Sequence, residues 1–276
     1  MLVEIADGQV VRCLARRKQA ALSCGDRVAV LLTGREEGVI EAVDPRSSVY
    51  LRSSHHRSKY IAANATQVAV VVAAEPSFSD ELLMRALIAA AHSGMKGLIV
   101  LNKVDLVREA LVARARLEPF MRAGHAIVEI SAREDAKPLV SYLKREITVL
   151  VGQSGMGKST LVNALFPEAQ APTRAISHFL AGGRHTTTAS KLYRLDEASA
   201  LIDSPGMKEF GLAHMTRPEI EAAVPELRPF LGQCRFSGCS HQAEPGCAVK
   251  TALEQGRIDP RRMELLRRIQ SSEARA

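Results

Sequence analysis

From Gln67 onward, apolar runs of strand length alternate with helical stretches. VAVVVAA (Val68–Ala74) is continuously apolar, and Ser79 to His92 reads as a helix, with Asp80 and Glu81 in its first turn and Gly94 as its stop. LIVLN (Leu98–Asn102), Ala126–Ile130, the run ending at Val151 and Leu201–Asp203 add further strands. Apolar strands separated by helices predict a doubly wound α/β domain, whose ligands bind outside the carboxyl ends of the strands. Upstream the pattern differs. Residues 1 to about 62 are short β segments broken at Asp7-Gly8, Cys24-Gly25-Asp26, Thr33-Gly34 and Asp44-Pro45, which predicts a small closed β-barrel. Near the end, Asp259-Pro260 opens a helix that gathers Met263, Leu266 and Ile269 on one face. Its Arg261, Arg262, Arg267 and Arg268 serve either an RNA partner or solvent.

The strand ends carry the chemistry. VLVGQSGMGKST (Val149–Thr160) sets GxxxxGK[ST], Gly152 to Ser159, directly after a strand. Small residues there let successive backbone N–H groups approach a phosphate, and Lys158 neutralises the β- and γ-phosphates. The Ser159 hydroxyl suits Mg²⁺, and Thr160 with LVNAL continues as a helix whose N-terminus faces the anion. Val151, Gly152, Gln153, Ser154, Gly155, Met156, Gly157, Lys158, Ser159 and Thr160 are therefore the expected phosphate-binding residues.

The base is read elsewhere. Leu98–Asp105 ends in NKVD, and the Asp105 carboxylate accepts two hydrogen bonds from guanine N1–H and its exocyclic amine. Adenine lacks that donor pair, and an unpaired buried carboxylate costs several kcal/mol, so this residue selects guanine. Asn102, Lys103 and Val104 frame the base, and Ser131-Ala132-Arg133 after the third strand is similar to the SAK element that backs guanine in GTPases. In LIDSPG, Asp203 is placed to hold Mg²⁺ through water and the Gly206 N–H to meet a γ-phosphate. GGRHTTT lies between these loops and offers a threonine, here assigned to Thr187, to complete the Mg²⁺ shell.

In an ordinary GTPase the phosphate loop comes first and NKxD near the end; here NKVD and SAR precede GQSGMGKST, the threonine loop and DSPG. The order is that of a circular permutation. With GGRHTTT and the C-terminal cysteines, it resembles the bacterial ribosome-small-subunit-dependent GTPase A family (RsgA, also called YjeQ) over essentially the whole chain. The resemblance implies an N-terminal OB-fold β-barrel (1–62), a circularly permuted α/β P-loop GTPase domain (63–226) and a C-terminal zinc-binding domain with helices (227–276). It also implies a GTPase that binds the small ribosomal subunit and its rRNA and turns over during late maturation of that subunit. His185, before Thr186-Thr187-Thr188, stands where the family is proposed to supply a catalytic histidine in place of glutamine; a mobile, solvated loop histidine is the other reading. The position after the switch glycine, often Gln in GTPases, is Met207, which cannot hydrogen-bond a water, so slow intrinsic turnover is expected. The sequence departs from the family in Arg133 for the SAK lysine, and in β segments that begin at once, without the basic extension of some relatives.

Composition adds partners and metals. A net charge of +7 and a pI near 9.3 favour an anionic partner, RNA before membrane, because no basic amphipathic anchor is present. Arg12, Arg16, Arg17, Lys18, Arg46, Arg52, Arg57 and Lys59 could track phosphates, with Tyr50 and Tyr60 as stacking platforms; solvated surface charge is the alternative. His55 and His56 have no visible partner. The absence of a long apolar run or a signal-peptide pattern predicts a soluble, cytoplasmic protein, and a monomer is expected. Cys234-x4-Cys239-x-His241-x5-Cys247 sets four ligands in one short segment, a donor set that suits one closed, structural Zn²⁺. A disulfide is the competing reading, and a reducing cytosol disfavours it. Cys13 and Cys24 read as ordinary thiols. Within about twenty residues of DSPG the chain enters the zinc segment, so switch motion should pass directly to it and gate an RNA grip. A static nucleotide site in an RNA-binding module is the alternative function; a small-molecule kinase would leave NKVD, SAR and DSPG unexplained.

Overall fold

The computed structural model describes residues 1–6, 8–15, 21–54, 57–167, 190–207 and 209–274. His55, His56, Arg16, Arg17, Lys18 and the loop carrying His185 and Thr187 lie outside them.

At the N-terminus β1 (Leu2–Glu4), β2 (Val10–Ala15), β3 (Val28–Leu32) and β4 (Glu37–Val43) form a sheet ordered β1-β2-β4-β3. Val11, Cys13 and Ile40 form its own small core. This is a half-barrel. The next two strands, β5 (Val49–Ser54) and β6 (Arg57–Ala63), do not close it but pair with each other as a separate hairpin. Tyr50 explains why. It is fully buried in the central domain, its hydroxyl donates to the Ala86 carbonyl at 3.1 Å, and its ring lies 5.6 Å from that of Phe210. The residue read as a stacking platform for RNA is thus a packing anchor, and of the two tyrosines only Tyr60 is exposed. Arg46 is likewise committed, donating to both oxygens of Asp26 at 2.7 and 2.8 Å.

The central sheet is the doubly wound one expected. β7 (Gln67–Ala73), β8 (Lys96–Asn102), β9 (Ala126–Ile130), β10 (Ile147–Val151), β11 (Lys191–Arg194) and β12 (Ala200–Asp203) take the order β11-β12-β10-β7-β8-β9, with only β11 antiparallel. β7 is buried at every position because helices cover both faces, which accounts for its unbroken apolar run. α1 (Asp80–His92) starts at Ser79, whose hydroxyl accepts the Leu82 N–H at 3.2 Å, and Gly94 follows its end with a positive φ of 72°. α2 (Val107–Arg122) and α3 (Lys137–Leu143) follow β8 and β9, and α4 (Lys158–Leu165) follows β10. Among the described residues no helix is long and apolar enough to cross a membrane.

The C-terminal segment holds α5 (Arg217–Ala222), α6 (Ala248–Glu254) and α7 (Pro260–Ala274). Met263, Leu266 and Ile269 of α7 are buried as their spacing predicts, within the same core as the central sheet. One of its arginines is internal: Arg262, 2% exposed, pairs with Glu226, and is therefore structural and not part of an RNA-facing stripe. Arg267 is half-buried and donates to the His241 carbonyl at 3.3 Å. The other end of α7 is clamped to α1. Buried Arg85 donates to Glu273 and Ser272 of α7, to Glu81 Oε1 at 3.0 Å and to the Phe210 carbonyl at 3.4 Å, while Glu273 accepts the Leu212 N–H at 3.1 Å.

Candidate functional site

β7, β8, β9, β10 and β12 all end at one edge of the sheet, and a cleft of about 490 Å³ opens there. Asn102, Lys103, Asp105, Ser131, Ala132, Ser154, Gly155, Gly157, Lys158, Ser159, Thr160, Asp203 and Gly206 line it, so motifs far apart in sequence meet in one place. Val104, Val151, Gly152, Gln153 and Met156 do not line it; they support its wall, with Val151 and Met156 buried in the core.

Asn102 ties the walls together. Only 2% exposed, it donates from Nδ2 to the Met156 carbonyl at 2.9 Å, and its Oδ1 accepts the N–H groups of Lys103 at 2.8 Å and Ala132 at 2.9 Å. NKVD, SAR and the phosphate loop are therefore one hydrogen-bonded body. Lys103, at φ 65°, donates from Nζ to the Glu75 carbonyl at 2.7 Å, and Gln153 Oε1 accepts the Ser79 N–H at 2.6 Å, fastening the loop before α1 to the same body. Glycines are required where backbones nearly touch. A Cβ on Gly152 would sit 2.4 Å from the Val71 carbonyl oxygen, and one on Gly157 2.3 Å from Asn102 Nδ2.

The electrostatics are those of an anion cradle. Lys158 donates from Nζ to the carbonyls of Gly152 at 2.6 Å and Gln153 at 3.0 Å. Burial pulls its pKa down, with Asp203 opposing, and burial pushes the Asp203 carboxyl up, with Lys158 opposing. A polyphosphate beside Lys158 and a divalent cation beside Asp203 each reverse the effect of burial on its neighbour. At the other end of the cleft the Ser131 hydroxyl is buried with no partner among the protein atoms, and Asp105 is exposed in the cleft wall. An unpaired hydroxyl beside an available carboxylate fits a guanine base, and Ser159 with Asp203 fits Mg²⁺. Met207 is 3% exposed in the core, its N–H donating to the Gly152 carbonyl at 3.1 Å, so its side chain plays no part in positioning a water.

Glu75, Leu106, Arg133 and Ser204 also line the cleft and were not among the predicted ligands. Leu106, Arg133 and Ser204 adjoin or lie within the motifs already read. Glu75 lies two residues past the end of β7, and the rule that sites form at the carboxyl ends of parallel strands is the signal for it.

The cysteine cluster forms a second site. One donor atom each from Cys234, Cys239, His241 and Cys247 lies within 4.8 Å of the others. His241 Nδ1 is 3.6 Å from Cys234 Sγ and 3.3 Å from Cys247 Sγ, and those two sulfurs are 3.9 Å apart. Zn–S bonds of about 2.3 Å and Zn–N bonds of about 2.0 Å in a tetrahedron produce edges of this size, so the four residues fit Zn²⁺. All three are free thiols, which removes the disulfide reading for this arrangement. Cys247 also caps α6, its sulfur accepting the Lys250 N–H at 3.3 Å, which fixes one ligand of the cluster at the start of that helix.

Residues 43–213 match the family model for RsgA GTPase. The small ribosomal subunit biogenesis GTPase RsgA of Nitrosospira multiformis is 46% identical over 271 residues, covering 98% of this chain and 87% of that protein. The crystal structure of YjeQ from Thermotoga maritima superposes with a TM-score of 0.76 at 28% identity, covering 99% of this chain and 94% of the other. That of YloQ, a circularly permuted GTPase, gives 0.72 at 24% identity, over 99% and 90%. The permuted order of motifs and the fold agree with these neighbours.

Proposed function

As the chain belongs to the RsgA GTPase family, we propose that it hydrolyses GTP to GDP and phosphate while bound to the small ribosomal subunit, as a step in the biogenesis of that subunit. The observation that carries this reading is the single cleft in which Asn102 joins base-reading and phosphate-binding loops arriving in permuted order.

Asp105 accepts the guanine N–H donors, with the Ser131 hydroxyl beside it. Lys158 leaves the Gly152 and Gln153 carbonyls for the β- and γ-phosphates, while the N–H groups from Gly155 to Thr160 surround them. Ser159, Asp203 and Thr187 would hold Mg²⁺, directly or through water, and such an ion would supply charge neutralisation at the phosphates. The Gly206 N–H meets the γ-phosphate, which draws the segment ahead of α5 toward the cleft. His185 orients the attacking water. Cys234, Cys239, His241 and Cys247 would hold one Zn²⁺ as a complete set of four protein ligands, which suits a structural cross-link. The functional division is 1–62 for RNA contact, 63–226 for GTP and 227–276 for zinc, in a monomer that works in the cytoplasm on rRNA.

Multiple-turnover GTP hydrolysis tests this directly, with small subunits, with large subunits as control, and with neither. The expected result is stimulation of about 10-fold or more by small subunits alone. Binding without stimulation would leave a static nucleotide site in an RNA-binding module, a reading favoured by the buried Met207 side chain. His185→Ala should lower stimulated turnover by about 100-fold or more, the scale of a positioned proton-transfer group, with GTP affinity unchanged. A fall in affinity instead would reassign His185 to binding.

A further inference from the structure

Glu221 of α5 is a buried carboxylate that the nucleotide site does not use, 7% exposed. Its Oε1 accepts from Arg217 Nε at 2.9 Å and from Gln270 Nε2 of α7 at 2.9 Å. Its Oε2 lies 3.5 Å from His241 Nε2. The imidazole is thus spanned: Nδ1 faces the sulfurs of Cys234 and Cys247, and Nε2 faces a carboxylate. A neutral imidazole carries one ring proton, so only one of these two sides receives it. A proton on Nε2 meets Glu221 and leaves the Nδ1 lone pair free for a metal; the opposite tautomer directs a lone pair at a buried carboxylate. Two further contacts hold the ring's backbone: Arg217 donates to the Ser240 carbonyl, and Arg267 donates to the His241 carbonyl. His241 itself has a φ of 57°, so its position is fixed by this surrounding structure and not by local preference.

We propose that Glu221 is an outer-sphere positioning residue of the Cys₃His centre. It fixes the Nε2–H tautomer of His241, strengthens Nδ1 as a donor, and ties the centre to α5 and α7 through Arg217 and Gln270. The inference rests on the zinc reading above. Outer-sphere carboxylates on metal-bound histidines act in this way and change metal affinity by about 10- to 100-fold when lost. Because α5 begins at Arg217, eleven residues after Gly206, the same carboxylate connects the metal centre to the segment that follows the switch loop.

The test is zinc affinity by chelator competition on the full chain, comparing the parent, Glu221→Gln, His241→Cys and the double variant. Glu221→Gln is isosteric, and in the parent background it should weaken zinc by about 10- to 100-fold. In the His241→Cys background there is no Nε2–H to hold, and the same change should act within about twofold. Equal losses in both backgrounds, or no loss with histidine present, would overturn the proposal and leave Glu221 a packing carboxylate. Should Glu221→Gln not fold, Glu221→Asp, which keeps the charge but withdraws it, should show a smaller loss confined to the histidine background, and an equal loss in both would again overturn it. Failure of the parent chain to bind one zinc per molecule would instead remove the zinc reading itself.

Discussion

Gly157→Ala should abolish useful nucleotide binding while the sheet stays folded. Gly157 adopts φ 89°, a left-handed conformation that an L side chain resists, and the added methyl would lie 2.3 Å from Asn102 Nδ2. Asn102 cannot step aside freely, because it is 2% exposed and its amide holds Met156, Lys103 and Ala132 together. Three hydrogen bonds at about 1 to 1.5 kcal/mol each total about 3 to 4.5 kcal/mol, or a loss of about 10²- to 10³-fold in affinity. Titration with a fluorescent GTP analogue reads this, and a thermal melt of the nucleotide-free protein checks the fold. Gly155→Ala is the comparison. Its φ of 83° imposes similar backbone strain, but its methyl would meet only the Pro76 side chain at 3.0 Å, so the loss should be clearly smaller. Equal effects from the two would show that backbone strain decides, and that the Asn102 contact does not.

Arg85→Ala should lower stability by about 3 to 5 kcal/mol. Its side chain is 6% exposed, and it binds Glu273, Ser272, Glu81 and the Phe210 carbonyl. Truncation leaves Glu273, itself 12% exposed, without a counter-charge, and breaking a buried pair in this way costs about 3 to 5 kcal/mol. The Glu81 contribution is small because that carboxylate is 38% exposed. The expected fall in Tm is about 6 to 20 °C. Glu273→Gln, which keeps an acceptor for the Leu212 N–H, should cost less. A fall of under about 2 °C for Arg85→Ala would mean that water replaces the guanidinium without penalty.

The contrast between these two residues shows where sequence reasoning reached and where it stopped. Gly157 lies in a motif whose spacing follows from the phosphate chemistry, so its place was legible, as were the strands that end at Asn102, Ile130, Val151 and Asp203. The C-terminal ligands were legible for the same reason: four donors close in sequence have little freedom to be far apart in space. Arg85 looks like any charged residue inside a helix, because apart from Glu81 one turn away its partners come 125 to 188 residues later. Tyr50 misled for a related reason. In a short β segment an aromatic side chain suits an RNA platform or a core equally well, and only the departure of β5 and β6 from the half-barrel decides for the core. Met156 and Val151 belong to the motif but contribute backbone and packing, a distinction that side-chain identity alone does not make.

The bond from Asn102 to Met156 spans 54 residues, and during synthesis the asparagine emerges first. At about 5 to 20 residues per second, a growing chain exposes its NKVD loop for about 3 to 11 s before Met156 of the phosphate loop is made. Asp203 and Gly206 come later still. A nascent chain can therefore pair β7, β8 and β9 early, whereas the cleft lacks Asp203 and Gly206 until nearly three quarters of the chain has been made. The cleft is thus completed only after the half-barrel and the first three strands of the sheet are available to form, so chain order places folding of those parts ahead of closure of the site.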